Sequence, residues 1–173
     1  MKILHVVPSL DPSQGGLPVA CISLAVAEAD LGCCSDVLSF TPVSSKVAKF
    51  IEVPPGVGSV RLELQTLQLI TAILNSGSYE IEAIIGKYQL VHFHGIWEPE
   101  MLALMRVAFK LSVPYCISPH GMLYPYCLAQ KSLKKKIALL LGYRKVITRA
   151  DAIRCLNVDE SVAVGAMDLP TRR

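Results

Sequence analysis

Three glycine-bearing turns, each following a short apolar run, constrain this sequence more strongly than any other feature. The runs and their turns are residues 3–7 with Gly15 and Gly16, residues 90–93 with His94 and Gly95, and residues 115–118 with His120 and Gly121. Buried strands of a parallel sheet are short apolar runs, and the loops at their carboxyl ends line the crevice where open α/β sheets bind ligands. The pattern therefore predicts that function lies in these three loops.

Apolar runs alternate with helical patterns along the chain, and this alternation indicates the fold class. The predicted strands are residues 2–7, 36–40, 61–65, 90–93, 114–118 and 152–156. The predicted helices are residues 17–31, a weakly marked helix within 66–85, and residues 99–111, 131–149 and 159–166, with loops at 53–58 and 119–130. This order predicts an α/β fold: a doubly wound, mostly parallel sheet with helices on both faces.

Length and composition indicate one compact domain over residues 1–173, because 52% of the residues are apolar and 18% are charged. No apolar run approaches the roughly 20 residues that span a bilayer. Pro8 interrupts the apolar amino terminus, which we interpret as a buried strand rather than a targeting signal. The six cysteines are scattered, which favours reduced thiols and a cytoplasmic protein. For the adjacent Cys33 and Cys34, metal binding or redox use is an alternative to a plain turn.

A formal net charge of +3 is too small to indicate nucleic acid as a partner, but the charge is unevenly distributed. Residues 101–150 contain no Asp or Glu and many Lys and Arg. The helix predicted at 131–149 is amphipathic, and the apolar side chains expected to face inward are Leu133, Ile137, Leu140, Leu141 and Ile147. Its basic face is either solvated or docks on anionic lipid, in which case the headgroups would bind Lys131, Lys134, Lys135 and Lys136.

Gly15 and Gly16 precede the first predicted helix, where backbone N–H groups are free to bind an anion. Without side chains, the two glycines let a phosphate or a sugar approach that backbone directly. A plain tight turn explains the same residues, and neither the dinucleotide-binding glycine pattern nor the P-loop pattern is present.

Three histidines lie at or near strand ends. His92 and His94 are two residues apart on one predicted strand and point to the same side, and with His120 they offer three nitrogen ligands for a metal. We favour a core position for His92, bonded to backbone. His94 and His120 each precede a glycine at a strand exit, where an imidazole can bind sugar hydroxyls or phosphate.

Trp97, the only tryptophan, lies in the loop after His94. Its ring can pack on a sugar or an acceptor, or it can pack in the core. Glu98 and Glu100 flank Pro99 at a predicted helix start, where helix capping explains both carboxylates.

Three motifs resemble those of a known family. KILHVVPSLDP begins at Lys2 and leads to Gly15 and Gly16, VHFHGIW begins at Val91, and SPHGML begins at Ser118 and precedes the basic stretch 131–136. Together they are similar to the amino-terminal domain of GT-B glycosyltransferases of family 4, along essentially the whole chain. SPHGML with the basic helix behind it is the most specific part.

The resemblance implies a single Rossmann-like half of a GT-B fold, in a retaining transferase that moves a sugar from a nucleotide-sugar donor to a polysaccharide or lipid-linked acceptor. In such enzymes the amino-terminal domain holds mainly the acceptor, and the carboxy-terminal domain holds most of the nucleotide sugar. By matching motif, Gly15 and Gly16 would approach the donor phosphates or the acceptor, and His120 would be the catalytic contact to the transferring sugar. The other substrate-binding residues implied are His94 and Trp97 on the acceptor side, with Gly95 and Gly121 beside the histidines.

The sequence ends at Arg173, about where the first domain of such an enzyme would close. We therefore expect the donor-binding domain and its Glu-x7-Glu pair to be absent. Half of the groups that would stabilise the transition state would be missing, so the chain should be inactive until a carboxy-terminal partner completes it. No metal and no cofactor are expected, and the expected location is cytoplasmic, with peripheral contact at the inner membrane face as the alternative to a solvated basic helix. The alternatives are a free-standing module that binds the acceptor, and a small metal hydrolase that uses His92, His94 and His120.

Overall fold

A six-stranded sheet, with all strands parallel, organises the computed structural model, which describes residues 1–11, 13, 15–40, 57–61, 79–130 and 132–167. The strands are β1 (Lys2–Val7), β2 (Cys34–Ser39), β3 (Val57–Arg61), β4 (Leu90–His94), β5 (Tyr115–Ser118) and β6 (Ala152–Ile153). They lie in the order β3-β2-β1-β4-β5-β6, which is the order of a doubly wound Rossmann-type sheet. The predicted fold class is therefore confirmed.

Helices connect the strands and cover the sheet. They are α1 (Gly16–Asp30), α2 (Tyr79–Ile85), α3 (Pro99–Lys110), α4 (Pro125–Ala129), α5 (Ser132–Ala138), α6 (Arg144–Thr148) and α7 (Val158–Gly165). α3 begins at Pro99, because the fixed φ and missing N–H of proline suit the first turn of a helix. The predictions for β1, α1, β4, α3, β5 and α7 agree with these bounds to within two residues.

The two faces of the sheet carry different side chains. Leu4 and Val6 of β1 pack in the larger apolar cluster, against α2 and α3. Val7 packs in a smaller cluster beneath α1, together with Cys21. Because successive strand residues point to opposite faces, His5 shares the α1 side with Val7. The helices thus cover both faces, and the α1 face has polar side chains among its buried groups.

The third strand is predicted at 61–65; Arg61 lies in β3 (Val57–Arg61), and residues 62–65 lie outside the described residues. The loop predicted at 53–58 is wrong at its last two residues, where β3 begins. The sequence pattern predicts a loop at Gly58. In the structure Gly58 pairs with Asp36 across the β2–β3 ladder, and a Cβ at Gly58 would overlap the Asp36 carboxylate. This glycine provides space for a neighbouring side chain rather than a turn. The helix predicted within 66–85 is present at α2, and residues 62–78 are likewise outside the described part.

The predicted continuous helix at 131–149 is also wrong. α5 leads into a π-helical turn at Leu139–Tyr143, and α6 follows it. Gly142 has φ +129°, a left-handed value that glycine adopts without the steric cost of a side chain. The loop predicted at 119–130 likewise contains the short helix α4.

The break at Gly142 changes which side chains face the core. Ile147 is buried as expected, but four side chains expected inward are between 47% and 87% exposed: Leu133, Ile137, Leu140 and Leu141. The reason is that the turn rotates the helical face, so the buried residues on the far side are Tyr143, Val146 and Ile147. Within the described residues, no helix has both the length and the apolar composition required to cross a lipid bilayer.

Candidate functional site

The carboxyl ends of β1, β4 and β5 lie side by side at one edge of the sheet, because these strands are adjacent and parallel. The chain passes from β1 to β2 on one side and from β4 to β5 on the other, so the topology switches direction between β1 and β4. Ligands of open α/β sheets bind outside such a switch point. The three glycine-bearing loops therefore begin at the expected edge.

All four histidines of the sequence gather near this edge. His5 of β1 is paired in register with His92 of β4. The rings of His92 and His94 stack with centroids 4.3 Å apart, and the His94 and His120 rings lie 5.4 Å apart. The sheet thus brings together residues that are far apart in the sequence.

Three of these rings and one carboxylate form a continuous hydrogen-bonded line. Nε2 of His5 lies 2.8 Å from Oε2 of Glu28 on α1. Nδ1 of His5 lies 3.1 Å from Nε2 of His94, and Nδ1 of His94 lies 3.2 Å from Nε2 of His120. We call Glu28, His5, His94 and His120 the histidine chain. Both nitrogens of the fully buried His94 ring are engaged, so any contribution of His94 to ligand binding must act through His120.

His92 stands beside the histidine chain. Its ring is buried, and its Nε2 lies 2.8 Å from the Ser118 hydroxyl oxygen. The predicted core position is confirmed, but the predicted backbone partner is wrong, because a side-chain hydroxyl at the end of β5 takes that role.

Burial lowers the pKa of every histidine in this group. The pKa of His92 falls to about 3, and that of His94 falls further because neighbouring histidines also oppose its charged form. Burial lowers the pKa of His5 as well, although the Glu28 carboxylate partly offsets this effect. The same holds at His120, where burial lowers the pKa. All four imidazoles are therefore neutral at neutral pH.

The loop after β5 holds His120 in an uncommon backbone conformation. His120 has φ +51°, in the left-handed region that non-glycine residues rarely adopt. The Gly121 N–H donates to Glu160 of α7, whose second carboxylate oxygen accepts from the Leu156 N–H at 2.7 Å. Glu160 is 1% exposed, and its charge partly offsets the lowering of the His120 pKa by burial. Strained residues that a surrounding network holds in place are concentrated at functional sites.

Gly15 and Gly16 are exposed at the start of α1. Gly15 has φ +93°, and a Cβ at either position would meet no atom within 4 Å among the described residues. The helix has no side-chain cap, so its first N–H groups are not occupied by a capping side chain. Gly95 is different, because a Cβ there would lie 3.2 Å from Cε of Met122. Gly95 therefore lies beneath the β5 loop, whereas the first two glycines have open space around them.

Trp97 is half-buried and packs against the core. Its ring centroid lies 5.8 Å from that of Tyr143, and Nζ of Lys135 lies 5.4 Å from the Trp97 ring. The Tyr143 hydroxyl donates to the Trp97 carbonyl at 2.9 Å. These contacts match the packing interpretation, and a ligand contact by Trp97 stays a prediction. The capping explanation is wrong for Glu98, which makes no side-chain cap bond and has a pKa raised by burial.

The basic side chains predicted on the helix at 131–149 differ in their surroundings. Lys134 and Lys136 are exposed on α5. Lys135 is half-buried and donates to the Cys127 carbonyl. Lys131 lies outside the described residues.

The residues of the metal-hydrolase hypothesis do not form a metal-binding group in the described part of the chain. The group with suitable ligand atoms within 4.8 Å of one another is His5, Cys21 and His94, which shares only one residue with that hypothesis. Within this group, Nδ1 of His5 and Nε2 of His94 are hydrogen-bonded to each other. Burial raises the pKa of Cys21 to about 12, so its thiol stays protonated and is not the thiolate that binds metals.

Three residues of this arrangement were not identified from the sequence: His5, Glu28 and Glu160. His5 carries the one detectable signal, because it is a polar residue in the middle of the apolar run 3–7. Glu28 lies in a largely apolar helix and has no distinguishing motif around it, and Glu160 follows an N-capping Asn157 in a first turn where acidic residues are common. Only the tertiary structure brings them to the site.

The protein has a Rossmann-type parallel sheet, and its candidate site at the switch point includes the SPHGML loop; this is the arrangement found in the amino-terminal domain of the GT-B class. Residues 15–173 match the glycosyl transferase 4-like domain, and the chain belongs to that family. No curated protein sequence matches it significantly.

Solved structures share the fold at low sequence identity. Anabaena HepE, in complex with UDP and glucose, is 17% identical with a TM-score of 0.62, and the match covers 99% of this chain. The UDP-GlcNAc 2-epimerase of Methanocaldococcus jannaschii is 13% identical with a TM-score of 0.63 over 96% of this chain. In both cases the chain spans 42% of the length of the matched protein.

Proposed function

We propose that this chain is the acceptor-side part of a retaining glycosyltransferase that moves a sugar from a nucleotide-sugar donor to a polysaccharide or lipid-linked acceptor. The observation that carries the proposal is the strand-end site, where the His120 loop and the open Gly15 backbone both start from the switch-point edge of a glycosyl transferase 4-like domain. Anabaena HepE, which has the same fold, is in complex with UDP and glucose, and this supports a nucleotide sugar as donor.

Charge and exposure support a role for each site residue in this proposal. The open backbone at Gly15 and Gly16 begins α1, where N–H groups attract an anion, so these glycines approach the donor phosphates. His120, neutral and held by Glu160 through Gly121, contacts the transferring sugar. Gly95 gives the β5 loop room to close over β4.

A second domain supplies the rest of the nucleotide pocket in this proposal. The chain spans 42% of the structures that it matches, which leaves room in such proteins for a second unit. Catalysis requires groups that bind the transition state more tightly than the ground state, and this half provides only some of them. The chain alone therefore binds acceptor and does not transfer sugar.

The test is a transfer assay on the complete reading frame that encodes this chain, with UDP-, GDP- and dTDP-sugars and envelope polysaccharides or lipid-linked glycans as acceptors. NMR of the product gives the anomeric configuration, which we expect to equal that of the donor. The isolated chain, assayed in parallel, should bind the acceptor without transfer. His120→Ala tests the site, with Lys87→Glu, an exposed change just after α2, as the control.

Each outcome separates the alternatives. An inverted anomer would show that the retaining assignment is wrong. Glycan binding without transfer by any form would favour the non-catalytic binding module. Zinc-dependent hydrolysis would favour the metal hydrolase.

A second proposal, peripheral contact with an anionic membrane, rests on the exposed apolar side chains around the π-helical turn. Leu133, Ile137, Leu140 and Leu141 lie with Lys134 and Lys136 in what we call the lysine–leucine patch. A groove that shares Lys136 and Leu140 with this patch is also lined by Leu139, Arg144 and Met167. Apolar side chains at the acyl boundary and lysines on anionic headgroups are the two contributions of an interfacial helix. A lipid-linked acceptor would be met at such a surface, on the cytoplasmic face of the membrane.

A further inference from the structure

The histidine chain extends well beyond the group that the proposed function uses. Only His120 meets a ligand in that proposal, yet three further ionisable side chains, from α1, β1 and β4, continue the line into the protein. His5 and His94 are fully buried, and the Glu28 side chain is 21% exposed at the far end. A buried line of imidazoles is an expensive arrangement unless every nitrogen has a partner of the right kind.

The Glu28 end of the line determines which atom donates in each of its hydrogen bonds. A carboxylate oxygen only accepts, so Nε2 of His5 donates to Glu28, and the neutral His5 ring then has a bare Nδ1. That Nδ1 can only accept, so Nε2 of His94 donates to it and leaves Nδ1 of His94 bare. By the same rule Nε2 of His120 donates to His94. His120 is left with Nδ1 as an unprotonated acceptor, and no described residue bonds to that atom.

We propose that Glu28 and His5 are positioning residues that set, through His94, the tautomer of His120, so that the His120 ring presents a hydrogen-bond acceptor to the ligand. The ligand group that fits such an atom is a hydroxyl donor, as on a sugar, and not a phosphate oxygen, which is itself an acceptor. The identification of that hydroxyl with a sugar rests on the proposed function. The tautomer itself does not, because it is a property of the free protein.

The groups around the line leave its direction unchanged. Ser35 donates its hydroxyl to the same Glu28 oxygen at 3.1 Å, which keeps that oxygen an acceptor. His92 bonds to Ser118 and not to the line. The Cys21 thiol beside His5 and His94 stays protonated, and the charges of Arg154 and Glu160 oppose each other at His120.

The test reads tautomers directly from ring ¹⁵N NMR signals of the full chain, which contains only four histidines. In the unmodified protein, His5, His94 and His120 should each show a protonated Nε2 and a bare Nδ1. Glu28→Lys replaces an acceptor-only group with a donor-only group. We expect it to reverse the line, so that the Nδ1 and Nε2 signals exchange character in all three rings, including that of His120, which the substituted side chain does not touch.

Two variants make this result specific. Glu82→Lys makes the same charge change on α2, at a carboxylate that is 30% exposed and paired with Lys110, and it should leave the ring signals unchanged. His5→Leu removes the second member of the line, so Glu28→Lys added to His5→Leu should no longer alter His120. If the His120 tautomer stays the same in folded Glu28→Lys, or still changes when His5 is absent, the proposal is overturned.

A measurement on the unmodified protein keeps the proposal testable if Glu28→Lys does not fold. Nitrogen–nitrogen couplings through the hydrogen bond should join Nδ1 of His5 to Nε2 of His94, and Nδ1 of His94 to Nε2 of His120. Sharp ring signals without these couplings would overturn it. Neither NMR experiment contains substrate. If both give the expected result and every transfer assay fails, the proposed function is contradicted and the tautomer proposal is not.

Discussion

Nδ1 of His94 lies 3.2 Å from Nε2 of His120, and this contact ties a fully buried ring of β4 to the loop that follows β5. His120 is therefore positioned by a strand rather than by its own loop alone. Glu160 holds the same loop from the other side through the Gly121 N–H. Two independent supports on one short segment are the arrangement expected of a preorganised site.

His120→Ala should lower turnover by about 10² or more in a preparation that transfers sugar, the usual scale for one positioned catalytic contact. Steady-state kinetics would measure it, with thermal unfolding to confirm that the variant folds. Turnover equal to that of the unmodified enzyme would remove His120 from the mechanism.

Much of the sheet could be predicted because its signals are local. The apolar runs of β1, β4 and β5 are short and bounded by glycine or proline, and burial on both faces of a parallel sheet requires that pattern. His120 and Gly121 were found by the same logic, since a residue at a strand exit is identified by its neighbours in sequence.

The supports of the site could not be predicted in this way, because they depend on pairing between distant segments. Glu28 becomes part of the site only because α1 packs over β1, and His5 only because β1 lies next to β4. The helix at 131–149 failed for a different reason. The pattern treats residues on both sides of Gly142 as one helix, but a residue with φ +129° shifts the helical phase between the two sides. Ile147 after the break faces the core as expected, whereas the four apolar residues expected inward before the break do not.

Gly142→Ala should destabilise the protein by about 1–3 kcal/mol, because a residue with a Cβ is strained at φ +129°. The new Cβ would also displace the Arg106 guanidinium, which donates to the Leu141 carbonyl at 2.9 Å. Urea unfolding measures the effect. Gly165→Ala is the matched control, since a Cβ there meets nothing within 4 Å, and it should not destabilise. Equal stability of the two variants would contradict the account of the turn.

Glu160→Gln should cost about 1–3 kcal/mol, the typical penalty when a buried N–H loses its acceptor. The carboxylate accepts from both Gly121 and Leu156, and an amide has one oxygen to serve the two donors. Urea unfolding would show the loss, and the amide signals of Gly121 and Leu156 should shift. Asp159→Asn, an exposed neighbour in the same helix turn, should change stability by less than about 1 kcal/mol. An equal loss in both variants would indicate a helix-dipole effect rather than support of the loop.

The lysine–leucine patch should bind phosphatidylglycerol vesicles at low salt and ignore phosphatidylcholine vesicles, because its lysines meet anionic headgroups. Lys134→Glu with Lys136→Glu should abolish sedimentation with the vesicles, and Leu140→Ser with Leu141→Ser should weaken it. Lys87→Glu changes an exposed lysine outside the patch and should have little effect. If the unmodified protein stays in the supernatant with anionic vesicles, the membrane proposal fails.

Acidification should destabilise the protein between about pH 6.5 and pH 4, before most carboxylates titrate. Each of the four histidines has a pKa lowered by burial in the folded protein and returns to its ordinary pKa of 6.5 when unfolded, so the unfolded chain binds more protons as the pH falls through this range. Stability is then fully present above pH 6.5 and is lost as the pH falls, and the contribution of His92 continues to fall until about pH 3. Glu98 has the opposite effect, because burial raises its pKa and the folded protein then binds one proton more readily than the unfolded chain as the pH falls.

Urea unfolding measured from pH 8 to pH 4 would give the slope of the unfolding free energy against pH. A free energy that does not change between pH 7 and pH 5 would contradict the neutral, buried state of the histidines. His92→Gln provides the internal check. It removes one titrating ring outside the histidine chain. The unfolding free energy of the variant should therefore change less steeply with pH, by up to about 1.4 kcal/mol per pH unit, which corresponds to one proton. An unchanged slope would mean that His92 is already charged in the folded protein, and this would contradict the lowering of its pKa by burial.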